Sequence, residues 1–102
     1  MKYVTFYEWA DDALDKFEEH MPGHQARWGD RAERGDLLMI GPFTDLSEGA
    51  IAVFSTREAA EEFASGDPLV VHGIVRKWRI LEWMEALVPD APSAPDPAGA
   101  PS

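Results

Sequence analysis

The sequence contains no cysteine, and it is poor in basic side chains. Without a thiol, the chain cannot form a disulfide, a thiolate nucleophile or a cysteine-ligated zinc or iron–sulfur site. Only 9 Lys and Arg residues stand against 19 Asp and Glu residues, so the formal net charge is −10. This excess argues against nucleic acid and anionic membranes as partners, because both are bound through Lys and Arg contacts to phosphate.

Long hydrophobic runs are also absent. No apolar stretch approaches the roughly 20 residues of a transmembrane helix, and no apolar leader precedes the first strand pattern. We therefore expect a cytoplasmic protein. The glycine-rich Gly-x-Gly-x-x-Gly motif of dinucleotide sites and the Gly-x-Ser-x-Gly motif of hydrolases are missing as well. We expect no cofactor.

The chain does contain enough apolar residues for one small folded domain. Hydrophobic side chains make up 45% of its 102 residues. From Pro89 onward, however, proline, alanine, serine and glycine dominate, and such a segment cannot bury enough apolar surface to offset chain entropy. The sequence therefore predicts a domain over residues 1–86 and a disordered tail over residues 87–102.

Hydrophobic periodicity predicts four strands and two helices in the order β-α-β-β-α-β. Pro22-Gly23 predicts a kink or a fresh start in the first helix, and Gly35 predicts its end. Ser55 to Glu58 matches a capping box that starts the second helix. Residues 69–73 are expected to form a connection with a short apolar patch. The predicted strands cover residues 2–7, 37–43, 50–54 and 74–84, and the helices cover about 11–35 and 55–66.

This order is typical of an α+β, ferredoxin-like fold, in which two helices cover one face of an antiparallel sheet. A sheet with one solvated face alternates apolar and polar residues, but the strands at 37–40 and 51–54 are apolar on both faces. On strict alternation, Leu37 and Met39 share one face and Leu38 and Ile40 share the other. Since the helices can cover only one face, we expect a second copy to cover the other in a homodimer.

His24 and Asp67 are the candidates for chemistry. A histidine beside a carboxylate can take up and return a proton near neutral pH. Trp28 lies one helical turn beyond His24 and offers a flat surface on which a ring could stack. Both candidates also have structural explanations, since a histidine can cap a helix and an aspartate before proline is a common turn former.

Two further clusters are weaker. His20 and His24 are spaced like a zinc pair, but Pro22 and Gly23 interrupt the helix pattern, and Met21 stands where a metalloprotease has its glutamate. We therefore expect no metal site. Three basic residues lie on the last strand and could hold an anionic group, but pairing with the acidic surface is the simpler interpretation. They are Arg76, Lys77 and Arg79.

The spacing of these features resembles that of the YciI-like family, or YCII-related domain, of the dimeric α+β barrel superfamily. The resemblance covers roughly residues 1–84 and departs from the usual pattern at Gln25 and Gly29. It implies a dimeric barrel and an active-site pair formed by His24 and Asp67. We also expect three residues to contact the substrate: Trp28, Pro42 and Pro68. The matching residues are His24, Gly35, Leu37-Leu38, Gly41-Pro42, the Ser-x-x-Glu-Ala start of the second helix, Asp67-Pro68 and Gly73.

This resemblance implies a small-molecule function, because some members of the family act on small cyclic or aromatic compounds. We predict a cofactor-independent enzyme of lyase or isomerase type that uses His24 and Asp67 for acid–base chemistry on such a substrate. Two alternatives remain open. One is a non-catalytic dimer that binds a small ligand or a protein partner, and the other is a cofactor-free monooxygenase.

Overall fold

The computed structural model describes residues 1–89, which form one antiparallel sheet with helices on one side. The strands follow the order β2-β3-β1-β4 across the sheet. This is the predicted α+β, ferredoxin-like arrangement, with one short helix added. The elements are β1 (Lys2–Trp9), α1 (Ala13–Glu33), β2 (Leu37–Pro42), a 3-10 turn (Leu46–Glu48), β3 (Ala50–Phe54), α2 (Arg57–Gly66), α3 (Pro68–Val71) and β4 (Val75–Trp83).

Helix α1 is continuous through Pro22, so of the two predicted alternatives the fresh start is wrong, and the kink stays a prediction. Proline removes one amide donor from the helix ladder, but its ring lies on the exposed side and α1 still packs against α3. The predicted stop at Gly35 is confirmed. Gly35 has a φ of 83° and donates its amide to the carbonyl of Ala32 at 3.0 Å, which is the left-handed helix end that glycine allows.

The start of α2 differs by one residue from the prediction. Thr56 is the N-cap, and its hydroxyl accepts a hydrogen bond from the Ala59 amide at 3.1 Å. Ser55 instead directs its hydroxyl to the Asp36 carbonyl at 3.4 Å, because the chain is still extended there. Beyond Gly66 the connection includes a helix that was not predicted, since Pro68–Val71 forms the short helix α3.

The helix-facing side of the sheet carries the core. The largest fully buried side chains come from the sheet, from α2, from α3 and from the residue before β4, so they join all layers. Helix α1 contributes only one buried residue, Ala13, to this core. Its other apolar side chains remain partly exposed, and space is left between α1 and β2. The largest fully buried side chains are Thr5, Phe54, Phe63, Leu69 and Ile74.

The opposite side of the sheet, called the open face below, is also apolar. A groove of about 590 Å³ runs over it, lined by strand residues and Phe43 and by no residue of a described helix. The register shifts between Leu37 and Met39, so Leu37 and Ile40 pair with core residues of β3 while Met39 pairs with Val53. At this edge of the sheet Met39 lines both the groove and the space between α1 and β2. The predicted strict alternation in β2 is therefore wrong, because one extra residue reverses it. The open face consists of Val4, Phe6, Ile51, Val53 and Leu81.

Within residues 1–89, no helix is long and apolar enough to cross a membrane. The cytoplasmic location expected from the sequence stays a prediction. The boundary between domain and tail also stays a prediction, because residues 90–102 of the predicted tail lie outside the described residues. Residues 87–89 form neither helix nor strand.

Candidate functional site

The space between α1 and the sheet is a cavity of about 450 Å³. This volume is within the range of small-molecule sites, which is about 300–1,000 Å³. Four aromatic rings and two methionines make its wall mostly apolar, and His24, Gln25 and Asp67 add polar side chains. The aromatic residues are Tyr7, Trp9, Phe17 and Trp28, and the methionines are Met21 and Met39.

His24 and Asp67 meet at this cavity although 43 residues separate them in sequence. The His24 Nδ1 lies 2.8 Å from the Asp67 Oδ1. The side chain of Asp67 is 3% exposed and that of His24 is 15% exposed, so the imidazole lies between the buried carboxylate and the solvent. The geometry that acid–base chemistry requires is thus present, and the catalytic role of the pair remains a prediction.

The local chain explains why Asp67 points inward. Pro68 forces the preceding residue into an extended conformation, and Asp67 has φ −69° and ψ 132°. From there its Oδ2 accepts the Leu69 amide at 3.0 Å, which caps α3. A buried carboxylate needs such partners, and Asp67 has one donor for each of its oxygens. The carboxylate is therefore held in one orientation from both sides.

This orientation also selects the tautomer of His24. An ionised carboxylate can only accept hydrogen bonds, so the Nδ1 atom carries the hydrogen that joins the two side chains. The lone pair of the neutral ring is then on Nε2, which can accept a proton. When it does, Asp67 stabilises the resulting imidazolium, as in other histidine–carboxylate pairs.

Tyr7 and Trp9 are cavity residues that the sequence argument did not single out. Neither the Tyr7 Oη nor the Trp9 Nε1 has a hydrogen-bond partner in the described part of the chain, although both atoms are buried. Burial raises the pKa of the Tyr7 phenol, and the Asp67 carboxylate raises it further, while the Thr5 hydroxyl opposes the shift without forming a well-aligned hydrogen bond. Tyr7 is thus a neutral donor at physiological pH. Tyr7 and Trp9 stand two residues apart in β1, so their side chains point to the same face of the sheet. This alternation was the sequence signal that could have identified them as neighbours.

The residues predicted to contact substrate are only partly together. Trp28 and Pro42 line the cavity from α1 and from the end of β2. Pro68 is not among the lining residues. Its ring packs on Gly23 of α1, where a Cβ atom would lie 3.2 Å from the Pro68 Cγ. Pro68 therefore positions α3 against α1 and is left out of the proposed site.

The possible zinc pair and the basic residues of the last strand, the two weaker candidates from the sequence, form other contacts. His20 stacks on His72 with ring centroids 4.1 Å apart, and the described residues hold no group of three side chains fit to bind a metal. Arg76 pairs with Glu8 at 3.0 Å, as the acidic surface predicted. Arg79 lies over the Phe6 ring on the open face, with its guanidinium carbon 5.0 Å from the ring centroid.

The fold and the spacing of the motif residues match a known protein family. The family model of the YCII-related domain matches residues 1–84. The chain belongs to this family. The match covers every strand and helix described above and confirms the resemblance seen in the sequence. No curated protein sequence matches the chain.

A solved structure shares the fold of this YCII-related domain. It is the 5-chloro-2-hydroxyhydroquinone dehydrochlorinase from Burkholderia phenoliruptrix AC1100 in complex with 2,5-dihydroxybenzoquinone. The two chains superpose with a TM-score of 0.69 over 84% of this chain and 96% of the other, at 14% sequence identity. At this identity the similarity establishes the shared fold.

Proposed function

We propose that this YCII-related domain is a small, cofactor-independent enzyme of lyase or isomerase type that acts on a small cyclic or aromatic substrate. The observation that carries the proposal is the 2.8 Å contact between His24 and Asp67 at the wall of a cavity lined by aromatic rings. The fold shared with a dehydrochlorinase of a hydroquinone supports the same reaction class.

The proposed reaction begins with proton transfer to His24. The Nε2 atom takes a proton from a carbon next to a carbonyl group. The electron pair of the C–H bond forms a C=C bond, and the π electrons of the carbonyl move onto its oxygen to give an enolate. His24 becomes an imidazolium paired with Asp67. The enolate then expels a leaving group in an elimination, or takes the proton back at another carbon in an isomerisation. Trp28 provides a surface for stacking the ring during these steps.

Proton abstraction can be tested before the natural substrate is known. We expect the protein to catalyse exchange of α-hydrogens for deuterium in cyclohex-2-enone dissolved in D₂O, observed by proton NMR. His24→Gln should lower the exchange rate by about 10²-fold or more, the usual contribution of a general base. His72→Gln is the matched control, because it removes a histidine that stacks on His20 outside the cavity.

The rival function is that of a non-catalytic binding module. It is favoured by the position of Asp67 as the cap of α3, because this structural role alone would explain the residue. In that case cyclohex-2-enone would bind without exchange, and His24→Gln would leave its affinity unchanged. Equal exchange rates for the wild type and the His24→Gln variant would contradict the acid–base proposal. Oxygen consumption with a phenolic compound would instead support a cofactor-free monooxygenase.

We further propose that the protein functions as a homodimer joined through its open face. The groove over this face is apolar, and Leu81 and Met39 within it are 44% and 60% exposed. A contiguous apolar patch of this kind marks an interaction surface. A second copy supplies the same apolar side chains, so a two-fold contact between the two sheets would bury both patches.

A further inference from the structure

The cavity has no side chain that would attract an anion. None of its lining residues within positions 1–89 is a lysine or an arginine. Residues 90–102 contain neither residue type, so the rest of the sequence cannot supply one either. The nearby cations of α1 are already engaged: Arg27 and Arg31 both donate to the Glu62 carboxylate, at 2.9 and 2.7 Å.

Protonation of His24 does not change this balance. The imidazolium would carry one positive charge, but Asp67 lies 2.8 Å from it and carries one negative charge. The pair therefore has no net charge when His24 is an imidazolium, and it has a net negative charge when the imidazole is neutral. A carboxylate that entered the cavity would lose its hydration without gaining an ion pair, which is costly. The net charge of −10 adds a long-range repulsion.

Two side chains that line the cavity also carry buried hydrogen-bond donors without a partner in the described residues. Tyr7 is 8% exposed and its Oη has no partner in the described part of the chain, and the same holds for the Trp9 Nε1. Both side chains line the cavity from the central strand β1, where Tyr7 is paired with Ala50 and Trp78. Buried donors are normally satisfied. The neighbouring Thr5 hydroxyl forms no well-aligned hydrogen bond with Tyr7 and is itself unpartnered, so we infer that an acceptor oxygen on a ligand would satisfy the Tyr7 hydroxyl.

We propose that the cavity selects an uncharged ring carrying an oxygen acceptor, that it rejects the same ring carrying a carboxylate, and that the Tyr7 hydroxyl donates to the acceptor oxygen. The inference rests on the proposed function for the location of the site. In the proposed reaction, Tyr7 would stabilise the negative charge that moves onto the carbonyl oxygen when His24 takes the proton. No Lys or Arg lines the cavity and the His24 imidazolium is paired with Asp67, so a neutral donor is the group that can do so.

Three benzene derivatives of similar size separate charge from hydrogen bonding. Acetophenone is neutral and has an acceptor, benzoate has acceptors and a charge, and isopropylbenzene has neither. Affinities can be measured by ¹⁵N NMR titration in 0.5 M NaCl, which screens the long-range repulsion. We expect acetophenone to bind at least about tenfold more tightly than benzoate, which corresponds to about 1.4 kcal/mol. Benzoate binding as tightly as acetophenone, or no binding of acetophenone, would overturn the inference.

Two variants test the residues. Tyr7→Phe should weaken acetophenone binding several-fold and leave isopropylbenzene binding unchanged, without lowering the urea midpoint of unfolding. Tyr3→Phe is the matched control, because the Tyr3 hydroxyl lies outside the cavity and donates to Glu82 at 3.2 Å. Gln25→Lys, which places a cation at the exposed edge of the cavity, should strengthen benzoate binding. Unchanged acetophenone affinity in Tyr7→Phe would contradict the role of Tyr7.

These binding experiments are independent of turnover. If acetophenone binding depends on Tyr7 while no exchange of cyclohex-2-enone depends on His24, the inference stands and the proposed enzymatic function fails. If exchange depends on His24 while Tyr7→Phe binds acetophenone normally, the proposed function stands and the inference fails.

Discussion

At the scale of single residues, Asp67 combines two roles that can be separated. One carboxylate oxygen orients His24 and the other caps α3 through the Leu69 amide. Asparagine keeps the shape of the side chain and removes its charge, and it is as good an N-cap as aspartate. The two roles therefore predict different outcomes for two substitutions at one position.

Asp67→Asn should fold with nearly unchanged stability but lose α-hydrogen exchange activity. The amide can still accept from Leu69, whereas its NH₂ group would favour the wrong tautomer of His24. Asp67→Ala should lose both roles, and its free energy of unfolding should fall by about 2 kcal/mol, as for a lost cap and a lost buried partner. Urea unfolding and the exchange assay together test this. Equal destabilisation by both substitutions would contradict the separation.

Glu85 gives a pH dependence whose sign follows from its environment. A hydrogen bond from the Lys2 Nζ at 2.6 Å lowers the pKa of Glu85 from 4.5 to about 2. Because the pKa is lower in the folded state, the stabilisation is complete above about pH 4.5 and is lost as the pH falls toward 2. In urea unfolding, Glu85→Gln should be less stable than the wild type at pH 6, with the difference vanishing near pH 2. A difference that stays constant with pH would contradict this account.

At the scale of secondary-structure elements, the turn from β2 to β3 supports the site through the backbone of β1. Gly49 has a φ of 85° and lies against the backbone of Tyr7. A Cβ atom there would lie 2.0 Å from the Tyr7 carbonyl oxygen. The close approach keeps β1 and the start of β3 in register, and this register places Tyr7 at the cavity.

Gly49→Ala should therefore lower the free energy of unfolding by at least about 3 kcal/mol, from backbone strain and the contact with Tyr7. Gly29→Ala is the matched control. Gly29 lies inside α1, and a Cβ atom added there would meet no neighbouring atom within 4 Å, so alanine should stabilise the protein by about 1 kcal/mol. Thermal and urea unfolding measure both changes. Similar effects of the two substitutions would contradict the assigned contact.

At the scale of the whole molecule, one side of the sheet has its own helices and the other lacks a cover in the described residues. The open face belongs to the same strands that build the core, so its apolar side chains cannot turn inward. This is the physical basis of the proposed homodimer.

Light scattering should give a mass of twice the 11.3 kDa of one chain at micromolar concentration. Leu81→Lys places a charge on the open face and should shift the mass toward one chain. Leu46→Lys is the control, because Leu46 is equally exposed at 44% but lies in the 3-10 turn and does not line the groove over the open face. A wild-type mass of one chain would contradict the homodimer.

The sequence by itself determined the order of the four strands and the two long helices, and the family. Local signals are strong at these positions, as at Gly35, where a left-handed residue ends α1. It also singled out His24 and Asp67, but only the family resemblance implied that they form a pair. The tertiary structure brought them to 2.8 Å and placed Tyr7 in the same cavity, because contacts between distant residues depend on how the helices pack on the sheet. The bulge in β2, the continuity of α1 through Pro22 and the position of Pro68 outside the cavity were likewise decided by packing, which overrides local preference.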